Sequence, residues 1–463
     1  MARYHLIGIG GTGLSAIARV LFERGETVTG SDLLLSPDAK ELIDLGIPIS
    51  IGHKRSHIEG ADCVIRSSAI PDDNPEVLAS LENNIPVLKR RDFLSELTKD
   101  QRVIAVAGTH GKTTTTSMAT WCLTRSGLDP SYVIGSTPKN LGKNAAYGKG
   151  EYFVIEADEY DNMFLGLSPD ILVITNIEHD HPDCFPSKEK YYAAFQNLTS
   201  RIKPGGTMIA CLDNPGVRWL IAHIDPAINL ITYGLSKEAD IVLSEFDHHE
   251  GAGIAFTILS QYKDLILPPA SPLGLSLPGV HNALNAAAVY ILCAICQVNL
   301  RTTEKALSSF AGSSRRFEMI GQAGGIKFID DYGHHPTEIK ATLAAARNKY
   351  PQQDIWAVWQ PHTYSRTKEL FDAFTTSFSD CDHVIVTEIY RSRENEQDYS
   401  SERLVKHMSH PDKYFVSNLQ EAKDILKRKL KPLDVLIVFS AGDANQITNN
   451  LFVYFQELEA END

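Results

Sequence analysis

The sequence has no long apolar run, few cysteines and no excess of positive charge. No stretch approaches the ~18 consecutive apolar residues of a membrane-spanning helix, so we expect no membrane association. The seven cysteines are odd in number and scattered along the chain, which favours a reducing cytoplasm over a disulfide framework. The net charge of −14 argues against a nucleic-acid partner, because such proteins carry a basic surface.

The sequence also lacks a secretion signal, internal repeats, a serine catalytic triad and a zinc site. The N-terminus leads directly into a predicted strand and a glycine turn, unlike a signal peptide. Neither a Ser-His-Asp elbow nor a zinc-ligand spacing occurs, and the pair Cys293 and Cys296 lies in an apolar helical run that favours core packing. With 463 residues, 43% of them hydrophobic and 22% charged, the chain has the length of about three domains of ~100–200 residues each.

A phosphate loop is the clearest positive signal. Residues 103–107 read as a buried parallel strand that runs into a glycine turn and a helix N-terminus, an arrangement that binds anions. Lys112 could reach the outer phosphates, and the Thr113 hydroxyl suits Mg²⁺. The strict phosphate-loop pattern has glycine where this chain has Val106. The alternative interpretation is a glycine turn that binds no ligand. We interpret the loop as an ATP site whose contacts are Gly108, Thr109, His110, Gly111, Lys112, Thr113 and Thr114.

A second glycine turn, residues 8–13, follows the first predicted strand. Asp32 ends the next predicted strand, 19 residues after Gly13, close to the offset of the ribose-binding acid in dinucleotide sites. Alone this pattern indicates NAD, but such a fold can hold other nucleotide diphosphates. We place this Rossmann-like domain at residues 1–98.

The central domain, predicted at residues 99–311, carries acids and imidazoles at strand ends, where parallel sheets bind ligands. These groups suit Mg²⁺: Glu156, Asp158, Glu159, Asp161, Asp180, His181 and Asp183. Solvated loop carboxylates are the alternative, and for Glu159 and Asp183 the favoured one. Asn282 and Asn285 share a face of a later helix and could either cap it or contact a base.

The third domain, predicted at residues 312–463, again alternates strands with helices, including helices over 336–350 and near 366–379. Its strand-end loops gather more functional side chains than packing explains, above all at 330–335 and 360–367. The predicted fold class is therefore α/β, with Rossmann-like first and third domains around a P-loop domain with a mostly parallel sheet. Two nucleotide sites favour an ATP-driven reaction on a substrate that carries a nucleotide diphosphate.

Six motifs follow one another along the chain: AGTHGKTTTT, EADE, TNIEHDHPD, HNALN, SRRF and DDYGHHP. In order and spacing they resemble the motifs of the Mur ligases of peptidoglycan precursor synthesis. The resemblance covers essentially the whole chain. The phrases IGIGGTGLS, DDYGHHPTEI and QPHTYSRT are typical of the branch that adds L-alanine. EADEYD is more similar to the branch that adds the recycled tripeptide L-Ala-γ-D-Glu-meso-diaminopimelate, which stays the alternative. An NAD-dependent oxidoreductase is a more distant alternative.

The resemblance implies an amide ligase that joins L-alanine to the lactyl carboxylate of UDP-N-acetylmuramate through an acyl phosphate. ATP and Mg²⁺, or Mn²⁺, would be required, and the partners would be small molecules only. A cytoplasmic monomer or homodimer is expected. Relatives with a carbamylated lysine carry it where this chain reads Tyr192-Ala193-Ala194-Phe195, so we predict no carbamate.

The resemblance also assigns roles to single residues. The UDP site would comprise Gly10, Gly11, Thr12, Gly13, Asp32 and Ser67. Beyond the phosphate loop, ATP would contact His281, Asn282, Arg316 and Asp331. Metal would be held by Thr113, Glu156 and His181. L-Alanine would meet Tyr332, His334 and Arg366, with Arg366 as the carboxylate anchor because Thr363 replaces an arginine found in some relatives. The catalytic set would be Lys112, Glu156, His181 and His334.

Overall fold

The fold consists of three α/β domains, each built on its own sheet. It is known from a computed structural model that describes residues 1–248, 253–262, 265 and 267–462. The three sheets have five, ten and six strands in the described residues, and most neighbouring strands run parallel. The predicted fold class is thus confirmed. No helix in these ranges combines the length and apolar character needed to cross a bilayer.

The first sheet is entirely parallel, in the order β3-β2-β1-β4-β5. Its glycine turn and Asp32 both lie at the carboxyl edge, because they follow the adjacent strands β1 and β2. The elements are β1 (Arg3–Ile7), α1 (Thr12–Glu23), β2 (Thr27–Asp32), α2 (Pro37–Asp44), β3 (Ile49–Ile51), a 3₁₀ turn (Arg55–Ile58), β4 (Cys63–Arg66), α3 (Pro75–Glu82), β5 (Val87–Lys89) and α4 (Arg90–Thr98).

The central sheet has the order β15-β14-β13-β12-β11-β10-β6-β9-β7-β8. Its middle strands are parallel, whereas β8, β14 and β15 are antiparallel additions at the two ends. The elements are β6 (Arg102–Ala107), α5 (Lys112–Arg125), β7 (Ser131–Val133), β8 (Ala145–Ala146), β9 (Tyr152–Glu156), a 3₁₀ segment (Tyr160–Gly166), β10 (Ile171–Ile174), α6 (Lys188–Thr199), β11 (Thr207–Cys211), α7 (Pro215–Ile221), β12 (Asn229–Gly234), β13 (Ile241–His248), β14 (Ile254–Ser260), β15 (Ala270–Leu275), α8 (Val280–Ile295) and α9 (Leu300–Ser308).

The third sheet has the order β16-β17-β21-β18-β19-β20, with only β16 antiparallel. The elements are β16 (Glu318–Ala323), β17 (Ile326–Asp331), α10 (Pro336–Lys349), β18 (Ile355–Gln360), α11 (Tyr364–Glu369), α12 (Phe371–Thr375), β19 (His383–Thr387), α13 (Glu402–His407), β20 (Lys413–Val416), α14 (Leu419–Lys429), β21 (Val435–Ser440) and α15 (Asn445–Asn462). The single helix predicted near 366–379 is wrong: Leu370, at φ −101° and ψ 20°, separates two short helices.

The cores explain how the first two domains are held together. One apolar cluster joins Leu14 and Ile17 of α1 to Ala105 and Phe153 of the central sheet. The other face of that sheet packs on α5 and α8, where Cys293 is fully buried among apolar neighbours, as the packing interpretation predicted. Because apolar burial of this kind is non-directional but strong, the first glycine turn is fixed relative to the phosphate loop.

Candidate active site

The phosphate loop follows β6 and ends where α5 begins at Lys112. Gly108 and Gly111 have φ of +139° and +80°, values that favour glycine. A Cβ on Gly108 would lie 2.0 Å from Thr175 Oγ1, so the loop also requires glycine for space. Gly111 is the N-cap of α5 and no side chain caps the helix. The N–H groups of its first turn therefore face the loop, as an anion site requires.

Lys112 is held at the loop by a buried acid. Its Nζ donates to the carbonyl oxygens of Gly108 at 2.6 Å and Thr109 at 3.0 Å and to Glu159 Oε1 at 3.1 Å. Burial lowers the pKa of Lys112, but Glu159 and Asp158 outweigh that effect and raise it. Glu159 is only 1% exposed, so the expectation of a solvated carboxylate is wrong. A buried acid is stable here because it faces the lysine.

Two oxygen donors that suit a divalent cation lie beside the loop. Thr113 Oγ1 donates to Glu156 Oε1 at 2.9 Å, and the Gly135 N–H donates to Glu156 Oε2 at 2.7 Å. Burial raises the pKa of Glu156, a cost that a bound cation would offset. A hydroxyl and a carboxylate are hard ligands of the kind Mg²⁺ prefers. The residues present therefore fit the implied metal.

His181 has an unused ring nitrogen on the same side of the loop. Its backbone is left-handed, with φ +54°. Its Nε2 lies 3.6 Å from Glu159 Oε1 and 3.7 Å from Asp180 Oδ2. Its Nδ1 is buried and has no hydrogen-bond partner in the part of the chain that the structure describes. An imidazole with an unsatisfied nitrogen is the kind of group that a ligand completes.

The acids of the loop 178–183 turn towards the third domain. Glu178 accepts from Thr337 Oγ1 at 2.8 Å, and Asp180 Oδ1 accepts from Arg366 Nε at 2.8 Å. Asp183 Oδ2 accepts from Arg393 at 2.6 and 2.9 Å. Asp180 and Asp183 therefore form ion pairs between domains instead of the magnesium or solvent contacts predicted for them. The sequence shows acids at a strand end, but it does not show which domain covers that end.

His110 bridges one of these acids and an acid of the third domain. Its Nε2 lies 3.2 Å from Glu178 and its Nδ1 lies 3.3 Å from Glu338 of α10. Burial lowers the pKa of His110, but the two carboxylates outweigh it and raise that pKa to about 9. His110, Glu178 and His335 are close enough to share a metal ion. However, a doubly protonated ring has no lone pair for a metal, so the group is better described as an ion network.

A cavity of about 200 Å³ opens beside this network and contains the predicted adenosine residues. His281, Asn282, Arg316 and Asp331 all line it, together with Asn285. Asn282 donates to the Pro278 carbonyl at 2.7 Å, and neither asparagine caps α8, whose N-cap is Gly279 without a side-chain bond. Of the two alternatives for these asparagines, the helix cap is therefore not the one observed.

The charges of the cavity wall are set by burial. Burial lowers the pKa of His281 to about 4, so this ring is neutral near pH 7 and can serve as a hydrogen-bond partner. Burial raises the pKa of Asp331 to about 6, although the backbone N–H groups of Phe317 and Gly333 bind its oxygens at 2.8 and 2.7 Å. Arg316, 3.5 Å from Glu338, supplies the positive charge.

A larger cavity, of about 560 Å³, connects all three domains. Thr12 and Gly13 form its first-domain end, and the wall continues through Lys112, Thr113, Glu156 and His181 to Tyr332, His334 and Arg366. The structure thus brings the two glycine turns and the third-domain loops into one space. Gly10, Gly11, Asp32 and Ser67 lie at the same sheet edge, outside this wall. Asp32 Oδ2 accepts from the Gly10 N–H at 2.8 Å.

Arg90 is a cavity residue that the sequence reasoning missed. It begins α4 and lies across the first glycine turn, since a Cβ on Gly13 would fall 1.5 Å from Arg90 Nη1. Its Nη2 is 3.7 Å from Asp158 Oδ2. Arg90 therefore places a positive charge between the two glycine turns. The sequence contains no signal for it, because an arginine at a helix start is usually a solvated residue.

The third-domain end of the cavity contains rings and an arginine. The Tyr332 ring lies 5.1 and 5.2 Å from the guanidinium groups of Arg315 and Arg316. His334 Nδ1 donates to the Tyr332 carbonyl at 3.1 Å. Burial and the Arg366 charge hold the pKa of His334 well below its usual range. His334 is therefore neutral, and its Nε2 carries the lone pair.

Three protein-family models match successive parts of the chain. The Mur ligase family catalytic domain matches residues 3–102, the Mur ligase middle domain residues 106–293, and the Mur ligase glutamate ligase domain residues 315–442. The chain is 40% identical over 459 residues to the UDP-N-acetylmuramate–L-alanine ligase of Geotalea daltonii, covering 98% of each chain. It is 38% identical over 460 residues to the enzyme of the same name from Sorangium cellulosum, covering 96% of this chain and 95% of that one.

Solved structures share the three-domain fold. UDP-N-acetylmuramate–alanine ligase from Thermotoga maritima is 28% identical, with a TM-score of 0.81 over 99% of this chain and 100% of that one. A murein peptide ligase from Psychrobacter arcticus, 24% identical, shares the fold with a TM-score of 0.71 over 98% and 99% of the two chains. Matches that span all three domains leave one conclusion: this chain belongs to the Mur ligase family.

Proposed function

We propose that this chain is an ATP-dependent ligase that joins L-alanine to the lactyl carboxylate of UDP-N-acetylmuramate in peptidoglycan precursor synthesis. The observation that carries the proposal is the 560 Å³ cavity, because one space connects the first glycine turn, the phosphate loop and the polar loops of the third domain. An oxidoreductase would have no use for the phosphate loop. A simple ATPase would have no use for the first domain.

The reaction takes two steps. The sugar carboxylate attacks the γ-phosphorus of ATP, which releases ADP and leaves an acyl phosphate. The amine of L-alanine then attacks the acyl carbon, and the amide forms as inorganic phosphate leaves with the C–O bond electrons. Bringing three substrates together is mainly a matter of positioning, and closure of the third domain over the cavity would keep water from the acyl phosphate.

The phosphate loop and its neighbours would hold ATP. Lys112 and the N–H groups at the start of α5 would bind the β- and γ-phosphates, with Arg316 on the opposite side. His281 and Asn282 would contact the base and Asp331 the ribose. Thr113, Glu156 and His181 would hold Mg²⁺, which would supply neutralisation of the substrates' negative charge.

The first domain would hold the uridine diphosphate part of the sugar substrate. Asp32 already binds the backbone of the glycine turn through Gly10, and Arg90 stands where the sugar must cross towards Lys112. Within this proposal, residues 1–98 bind the sugar nucleotide, residues 99–311 bind ATP and residues 312–463 bind the amino acid. The substrates are small molecules, and the expected location is the cytoplasm.

The third domain would present the amine. Tyr332, His334 and Arg366 surround the end of the cavity where L-alanine enters. Because His334 is neutral and its Nδ1–H donates to the Tyr332 carbonyl, its Nε2 can accept a hydrogen bond from the amine of L-alanine and orient it. The free amine is the nucleophile, and the second step requires its lone pair to face the acyl carbon.

Phosphate release from ATP tests the proposal. Purified protein is assayed with UDP-N-acetylmuramate and L-alanine, and then with each omitted in turn; release is expected only when both are present. Release that does not need both would contradict the assignment. Replacing L-alanine with L-Ala-γ-D-Glu-meso-diaminopimelate tests the alternative activity, that of a tripeptide ligase. Phosphate release that is faster with the tripeptide than with L-alanine would favour this alternative. NADH binding without ATP turnover would favour the oxidoreductase.

A further inference from the structure

Arg393 is a second arginine at the amino-acid end of the 560 Å³ cavity, and neither the sequence motifs nor the proposed reaction accounts for it. It lies on the segment that follows β19 and lines the cavity together with Arg366, His334 and His362. Its Nε and Nη2 both donate to Asp183 Oδ2, at 2.9 and 2.6 Å. Its guanidinium carbon lies 4.2 Å from the centre of the Tyr160 ring.

Arg366 has little free charge for a new anion. Its Nε binds Asp180 Oδ1 at 2.8 Å, and the two side chains are only 3% and 4% exposed. Its Nη1 lies 3.2 Å from His362 Nδ1. A buried, hydrogen-bonded pair of this kind is difficult to separate, because removing one partner leaves the other charge buried alone. Arg366 can therefore contribute donors to a carboxylate, but Asp180 balances its charge.

Position 363, where some relatives have an arginine, carries no positive charge in this chain. Thr363, immediately before α11, is buried, and its hydroxyl faces Ser365 Oγ at 3.5 Å. The free carboxylate of an amino acid needs a net positive charge in a protein whose overall charge is −14, and local donors must provide it. Among the other basic side chains of the cavity, Arg90 lies at the first-domain end and Lys112 and Arg316 lie at the phosphate end. Arg315 is already paired with Asp330, at 3.2 Å.

Arg393 has the opposite properties to Arg366. The side chains of Arg393 and Asp183 are 43% and 24% exposed, and partly exposed pairs exchange partners at little cost. Both bonds to Asp183 end on one oxygen, and Arg393 Nη1 donates to no residue within the described ranges. The cation–π contact with Tyr160, at 4.2 Å, helps to hold the guanidinium group in place. An arginine fixed by a ring, with a spare N–H edge and an exchangeable partner, is suited to a planar carboxylate.

The same segment is tied to α11. The Glu394 carboxylate accepts the backbone N–H groups of Tyr364 and Ser365, so it binds the first turn of the helix that carries Arg366. The backbone segment that carries Arg393 is therefore anchored to the helix that carries Arg366. The two arginines form one unit on the third-domain wall of the cavity.

We propose that Arg393 binds the carboxylate of the incoming amino acid and selects substrates that have one. Asp183 is its partner when the site is empty of amino acid, and Tyr160 is its platform. Arg366, paired with Asp180, positions the substrate beside it. This inference rests on the proposed ligase function.

Kinetics with Arg393→Ala test the inference. The KM for L-alanine should rise at least tenfold, whereas the KM values for ATP and UDP-N-acetylmuramate should stay within about twofold. L-Alaninamide, which lacks the carboxylate, gives the more specific readout. The ratio of kcat/KM for L-alanine to that for L-alaninamide should fall at least tenfold in Arg393→Ala and be partly restored in Arg393→Lys. Arg391→Ala, an exposed position on the same segment, is the matched control and should match the unmodified enzyme.

The variant Asp183→Asn distinguishes a role of Arg393 in binding the amino acid from a purely structural role. If Arg393 only braced Asp183, Asp183→Asn would raise the KM for L-alanine as much as Arg393→Ala does, and the inference would be overturned. It would also be overturned if Arg393→Ala kept the preference for L-alanine over L-alaninamide. Unmodified enzyme that releases no phosphate with L-alanine would instead overturn the ligase function itself. The two failures are therefore distinguishable.

Discussion

Replacing His110 with asparagine should remove a stabilising charge whose effect depends on pH. The ring lies between Glu178 and Glu338, at 3.2 and 3.3 Å, and is 12% exposed at its side chain. Despite the opposing effect of burial, these carboxylates raise the pKa of His110 from 6.5 to about 9. At ~1.4 kcal/mol for each pKa unit, the protonated ring stabilises the folded protein by about 3 kcal/mol.

The sign of the pH dependence follows from the direction of this shift. The folded state holds the proton more tightly than the unfolded state, so the stabilisation is complete below pH 6.5 and is lost as the pH rises through about 9. The free energy of unfolding of unmodified protein should therefore exceed that of His110→Asn by about 3 kcal/mol at pH 6. The difference should shrink steadily above pH 6.5 and be small at pH 10.

Urea unfolding at several pH values between 6 and 10 measures this difference. His407→Asn is the matched control, because the His407 ring bonds a backbone carbonyl, that of Arg403, instead of two carboxylates. A double-mutant cycle with Glu338→Gln separates the part of the charge effect that crosses from the central to the third domain. A gap that stays constant or grows with pH would refute the reasoning.

Three further predictions concern the phosphate loop. Lys112→Ala should lower phosphate release by about 100-fold or more while UDP-N-acetylmuramate binding, measured by calorimetry, stays near normal; loss of both would contradict separate sites. Glu156→Gln should weaken the Mg²⁺ dependence of phosphate release, and an unchanged magnesium titration would exclude this residue as a ligand. Gly108→Ala should destabilise the protein by about 1–3 kcal/mol in denaturant unfolding, because its Cβ would meet Thr175 at 2.0 Å. Gly142→Ala, also at positive φ but with open space around it, should cost less, and equal losses would show that backbone strain alone accounts for the effect.

The fold class could be predicted from the sequence because its signals are local. Strands such as β6 and β18 are short apolar runs, and α10 begins at Pro336, a normal start position. The predictions do not include the antiparallel strands β14 and β15. The helix over 366–379 was wrong because Leu370 leaves helical geometry, which a helix-forming composition does not reveal.

The candidate site could be predicted only where its residues belong to one motif. Gly108 to Thr114 occupy a single turn, so spacing alone indicates their chemistry. The sequence indicates a solvated acid at Glu159, because its partner, Lys112, lies 47 positions away. Arg90 and Arg393 carry no local signal, since isolated arginines occur on most surfaces.

The sequence by itself determined the two glycine turns, the strand-end acids and the α/β class, because hydrophobic period, glycine conformation and helix dipoles act over a few residues. Only the tertiary structure decided what each charge faces. Asp180 meets Arg366 across 186 positions and Asp183 meets Arg393 across 210, so acids that look free for metal instead join two domains. Electrostatic partners are set by distance in space, and burial then fixes which groups keep their charge.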